Sequence, residues 1–182
     1  LDLALSIGRW WFIAPVFATA AHRMVPFFGV AAPCLDERHP DWLLRTWLAL
    51  LVVQPLFDAA LVPSGIAAVV DGTAAALVAW LAIRWARTQN LRVRLIAMLH
   101  AGFVWFGVAL ALLAVAAWNA GSADHLRVAA LHAFGMGFCG STLLAFVTRV
   151  SAAQHGRTHT ADDFVWTLFL VVQAAVALRI TA

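Results

Sequence analysis

The chain has 182 residues, 64% of them hydrophobic and 12% charged, with nine Trp and no Tyr, whereas a soluble globular domain is nearer ~45–50% apolar with about twice that charge. This composition excludes an ordinary soluble domain and points to a membrane protein. The net charge of +3 comes from twelve Arg and no Lys, and Arg set beside apolar runs marks membrane topology rather than a nucleic-acid footprint, so no nucleic-acid partner is expected.

A helix needs about 20 apolar residues to cross a ~30 Å hydrocarbon core. The first such run, approximately Ile7 to Phe28, has no basic leader and no small-residue cleavage site and is expected to span rather than to act as a signal peptide. A polar stretch from Pro33 to Pro40 follows, then a second run from Leu43 to Val62, the breaker Pro63-Ser64-Gly65, and a third run from Ile66 to Trp85. The Arg84 to Arg94 loop leads to a fourth run, Leu95 to Trp118. Asn119 to Asp124 separates it from a fifth, Val128 to Thr148, and Gln154 to Asp163 precedes a sixth, Phe164 to Ile180. All connections are short, which predicts an all-α polytopic transmembrane helical bundle of about six spanning helices, a single domain over residues 1–182. Cys34 falls in a loop and Cys139 in mid-span, so no intrachain disulfide is expected.

Charge sorting predicts the orientation. Arg23, Arg38, Arg45, Arg84, Arg87, Arg92, Arg94, Arg149 and Arg157 fall on one side, nine of the twelve, against Arg9, Arg127 and Arg179 on the other. The positive-inside rule then puts loops 30–42, 84–95 and 149–163 in the cytoplasm and both chain ends outside.

Ionisable residues inside spans are costly and therefore informative. Asp58 and Asp71 stand six and seven residues from Ser64 in a helical hairpin, which places both carboxylates at one depth, about 10 Å from the outer end at 1.5 Å per residue. His132, expected about one turn into the fifth helix from the same side, joins that outer layer. An inner layer holds His22 and Arg23 late in the first helix, His100 early in the fourth, and Arg149 at the end of the fifth. Each has a plainer reading. A His near a helix end meets interfacial water, and either carboxylate can bond a neighbouring Ser or Thr in neutral form, whereas the functional reading of the pair is to hold a cation or share a proton. His39, His125, His155 and His159 lie in loops and read as solvated surface.

In the fifth span His132, Met136 and Cys139 are spaced i, i+4, i+7, which on an α-helix lines one face with an imidazole, a thioether and a thiol, a set suited to Cu(I). Gly135, Gly137, Gly140 and Ser141 beside them mark close helix packing by small residues, which accounts for the same stretch without a metal.

The segment LHAFGMGFCGSTLLAFVTRVSAAQHGR, Leu131 to Arg157, resembles the signature of the NnrS family of bacterial membrane proteins. The matching positions are Leu131, His132, Ala133, Gly137, Gly140, Thr148, Arg149, Ser151, Gly156 and Arg157. Arg23 to Phe28 is similar to the family's Arg, aliphatic, Pro, Phe pattern, and Leu99-His100 heads a helix as the family's Leu-His does. Gln154 stands where the family usually has His, and Met136 and Cys139 where it has aliphatics. The resemblance implies a heme- and copper-associated protein of the bacterial inner membrane, made in response to nitric oxide and acting in denitrification or against nitrosative stress. The residues themselves offer places for such chemistry: His100, His132 and His22 as cofactor ligands, with His132 and His100 as metal positions, and Arg149 and Arg157 on the inner side as partners of heme propionates. The resemblance also implies that the chain corresponds to the carboxy-terminal half of longer members, with the amino-terminal half or other membrane subunits, the lipid bilayer, and nitric oxide or a related small molecule as partners.

Two other function classes stay open: a proton- or ion-coupled transporter or channel using Asp58, Asp71 and His132, and a structural membrane subunit in which the polar residues serve packing. No nucleophile and base pair and no metal-binding Cys-x-x-Cys is visible. The orientation is tested by reporter fusions. One placed between Arg84 and Arg94 should read cytoplasmic and one near Gly121 periplasmic, and the opposite pattern would reverse the inner and outer layers.

Overall fold

The computed structural model describes residues 2–20, 41–88, 91–119, 123–154 and 161–181. Among them are six helices and no strand. Helix α1 begins as Asp2–Ile7, winds as a π-helix over Gly8–Ile13 and returns to α geometry through residues 14–20. Then come α2, Asp41–Asp58; α3, Ser64–Thr88; and α4, Arg94–Trp118. Helix α5 runs as Ala123–His132, a π-helical stretch Ala133–Gly140, and Ser141–Gln154; α6 is Asp163–Thr181. Five of the six are long and apolar enough to cross a membrane. The exception is α2, whose 18 residues include Asp41, Arg45, Asp58 and the internal Pro55.

The described chain divides into two compact units, Leu1–Ala67 and Ala68–Ala182, with the division inside α3. In the first unit α1 packs on α2 through two consecutive indoles. Trp10 Nε1 donates to Asp58 Oδ2 at 3.0 Å and Trp11 Nε1 to the Val52 carbonyl at 3.0 Å. Val52 lies next to Leu51, whose carbonyl loses its i+4 donor because Pro55 lacks an N–H. The π turn in α1 carries both Trp residues, so its wider winding accompanies the use of successive side chains against one neighbour.

Helix α2 ends at Asp58, four residues before the expected boundary at Val62. The stop is a backbone device: Ala60 takes φ 54°, its N–H bonds to the Phe57 carbonyl, and the Leu61 N–H bonds to the Leu56 carbonyl, each at 3.0 Å. This is a Schellman termination with alanine at the position glycine usually fills.

In the second unit α4 lies between α3 and α5. On the α3 side a Cβ at Gly107 would meet Val78 Cγ1 at 3.0 Å, one at Gly72 would meet Ala114 Cβ at 3.8 Å, and the Trp85 and Phe103 rings lie 4.6 Å apart. On the α5 side Phe106 packs with Phe134 and Phe138. Helix α6 starts at an N-cap, the Asp162 carboxylate accepting the Val165 N–H at 2.8 Å. Arg94 ties that start to α4, donating to Asp163 Oδ1 at 2.6 Å and to the Ala161 carbonyl at 3.1 Å.

The left-handed residue at the end of α2 makes a simple prediction. Ala60→Gly removes a Cβ penalty of about 1 kcal/mol in the αL region and should raise the thermal stability of the detergent-solubilised protein by that order. A loss of stability would mean that the turn does not carry this conformation.

Candidate functional site

Lipid supplies no driving force between apolar helices, so α4 and α5 associate through small residues that let their backbones approach. A Cβ added at Gly102 would lie 3.1 Å from Thr142 Oγ1 and 3.3 Å from the Phe138 carbonyl oxygen, and one at Gly137 would lie 2.6 Å from Trp105 Cγ. These contacts set the antiparallel register: Gly102 faces Phe138 to Thr142, and Trp105 faces Gly137.

Counting along that register puts His132 opposite the neighbourhood of Leu110, ten residues beyond His100, which is about 15 Å along the axis at 1.5 Å per residue. The two imidazoles therefore occupy different levels. His100 sits on the i, i+3, i+7 stripe of α4 with Phe103 and Gly107, the residues that meet α3. His132 ends the first segment of α5, at its tenth residue rather than one turn in, because α5 begins at Ala123, before the expected Val128. Each histidine keeps a buried Nδ1 that has no hydrogen-bond partner among the described residues.

The other predicted residues distribute around this pair. The same register sets Arg149 against the Arg94 end of α4, the end that carries His100. Asp71 is buried at 3% exposure on α3 next to Gly72, which packs on Ala114, so it shares the Trp118 half of α4 with His132. Asp58 belongs to the first unit, where Ser6 Oγ donates to its Oδ2 at 2.5 Å, Trp10 Nε1 donates at 3.0 Å and an Arg9 nitrogen lies at 4.0 Å. His22 and Arg157 lie outside the described residues, as do Arg23, Arg38, Cys34, His39, His155 and His159.

The copper face of the fifth span is not formed as the spacing predicts. Ala133–Gly140 is π-helical, with hydrogen bonds from i to i+5, so residues at i, i+4 and i+7 no longer stack in one stripe. Cys139 is buried at 8% exposure while Met136 is only half-buried. No group of three His, Cys, Asp or Glu side chains able to hold a metal ion occurs among the described residues.

A further polar group escaped the reading of ionisable residues alone. Trp105 Nε1 donates to Gln173 Oε1 at 2.6 Å, and Gln173 Nε2 donates to Ser141 Oγ at 2.9 Å, joining α4, α6 and α5. Ser141 is fully buried. The signal was present in the sequence as a lone amide in the otherwise apolar middle of the sixth span, which is as costly in lipid as it is useful once paired.

Compared with known families, residues 2–182 match the family described as NnrS protein. The chain belongs to the NnrS family. The match takes in every described helix, and with the five apolar helices it makes the chain a membrane protein associated with the nitric oxide response. No curated protein and no solved structure matches it.

The contrast between two glycines of this NnrS chain tests the packing. Gly137→Ala drives a methyl into the base of the Trp105 ring, whereas Gly135 has nothing within 4 Å of an added Cβ. Gly137→Ala should destabilise by ~1–3 kcal/mol, as overpacking does, and lower the recovery of monodisperse protein in detergent, while Gly135→Ala should behave as wild type. Equal tolerance of both would contradict the α4 and α5 register.

Proposed function

We propose that this protein binds heme or copper in the bacterial inner membrane as part of the nitric oxide response, with His100 and His132 each donating an imidazole to a separate centre. The observation that carries the reading is the pair of buried Nδ1 atoms with no hydrogen-bond partner among the described residues. A buried nitrogen without a hydrogen bond costs about 1–3 kcal/mol, and two of them on one helical pair are explained if each gives its lone pair to a ligand. The neutral imidazole with its proton on Nε2 leaves a lone pair on Nδ1, the form in which histidine ligates iron or copper. Bound there, the metal supplies a coordination position at which a small molecule such as nitric oxide can be held.

The chain's own residues contribute position and charge. With a level difference of about 15 Å and metal to imidazole distances of about 2 Å, one metal cannot take both histidines. Each centre therefore draws a further ligand from elsewhere, His22 or another membrane subunit for His100, and Asp71 or another subunit for His132. Arg149, set toward the His100 end, and Arg157 supply guanidinium groups to heme propionates. The transporter reading rests on Asp58, Asp71 and His132, but the three groups around Asp58 favour a role for that carboxylate in tying α1 to α2. The Arg distribution supports cytoplasmic odd-numbered loops.

Absorption spectroscopy with metal analysis on the purified protein tests this directly. Wild type should show a Soret band or bound copper. His100→Ala and His132→Ala should each lose one signal, by about tenfold or more in occupancy, and spare the other. Absence of both cofactors removes the reading, and identical loss in both variants with the protein still folded removes the two-centre arrangement.

A further inference from the structure

We propose that Gln173 is a positioning residue that holds the π winding of α5 over Ala133–Gly140 and so sets the direction in which His132 projects. A π-helix bonds i to i+5 where an α-helix bonds i to i+4. Rewinding the segment into α geometry shifts the register by one residue and turns His132, at its start, by on the order of 100° relative to Ser141, at its end. Such a winding is rare, and something must oppose the return to α.

The opposition comes from both ends of one amide. Its Oε1 accepts the Trp105 N–H at 2.6 Å, which fixes the indole over Gly137 in the middle of the π segment, where there is no room for a Cβ. Its Nε2 donates at 2.9 Å to Ser141 Oγ, on the residue whose backbone N–H bonds to both the Gly137 and the Phe138 carbonyls and so closes the segment. In lipid no water stands ready to replace either bond. The bond at Gln173 and the one at Arg94 span 68 and 69 residues, so α6 runs parallel to α4 in constant register and presents the amide at a fixed height. Only the consequence for cofactor binding rests on His132 being a ligand; the winding itself does not.

The native thiol reports on the segment, since Cys139 lies inside it at 8% exposure. In full-length protein with Cys34→Ala, in membranes, labelling of Cys139 by N-ethylmaleimide should be slow. Gln173→Leu, which abolishes both bonds, should speed it about tenfold, and Gln173→Glu, whose neutral carboxyl keeps one acceptor and one donor, should restore the slow rate. A Val78→Cys reporter in a chain without Cys34 and Cys139, buried at the α3 and α4 seam, should stay slow with Gln173→Leu. A His132→Cys reporter in the same background should change its rate. Cofactor signals provide a separate arm: Gln173→Leu should shift the signal lost in His132→Ala and leave the one lost in His100→Ala. If no cofactor is present, the ligand role of His132 fails while the thiol rates still read the winding. Unchanged Cys139 and His132→Cys rates in Gln173→Leu, or an equal rise at Val78→Cys, would overturn the proposal.

Discussion

Close approach of α4 to α5 at Gly102 and Gly137 is the contact on which the second unit depends. In hydrocarbon the helices gain nothing by hiding apolar surface from one another, because lipid is as apolar as leucine; what remains is van der Waals contact and hydrogen bonds with no competing water. Two glycines supply the first by removing the side chains that would hold the backbones apart. The nearness they create brings Trp105 and Ser141 within reach of a single amide from α6, so packing and polar bonding reinforce each other at one level of the bundle. Individually such bonds are modest, about 0.6 kcal/mol on average in membrane proteins. Their geometry matters more than their sum.

Against that background the polar residues of the spans separate into two kinds. Asp58 and Gln173 have their partners within the protein and join helices. The Nδ1 atoms of His100 and His132 have none among the described residues, although both are buried. Since an unmet polar atom is expensive in a low-dielectric interior, the second kind is where chemistry from outside the chain is to be sought. The two histidines lie at different levels of the same helical pair, which is the ground for proposing two separate centres rather than one.

Hydropathy made most of the fold legible. Runs of about 20 apolar residues separated by Pro, Gly and charge correspond to helices in the structure, and the level difference between His100 and His132 followed from an antiparallel hairpin and a fixed rise per residue. Other features left no such trace. Helix α2 stops at Asp58 through an alanine in a left-handed conformation, which nothing in the apolar run Leu61-Val62 announces. The π winding of α5 is invisible to periodicity because that stretch is apolar on every side, and it undid the face on which His132, Met136 and Cys139 were expected to align. Gln173 carries no charge to mark it among the ionisable residues, yet an amide in hydrocarbon has the same need for a partner.

Helix α6 follows α4 and α5 in the chain and is the least enclosed of the described spans, with Phe169 and Val176 its only fully covered apolar side chains. Its length and apolarity are enough for it to enter the bilayer by itself, so insertion and docking are separable events. Until it docks, the Trp105 indole and the Ser141 hydroxyl face hydrocarbon with neither of the bonds that Gln173 later provides. During synthesis, then, the central hairpin exists first as an incomplete surface, open to water defects, to lipid headgroups or to a membrane insertase. The docking of α6 is the step that seals it.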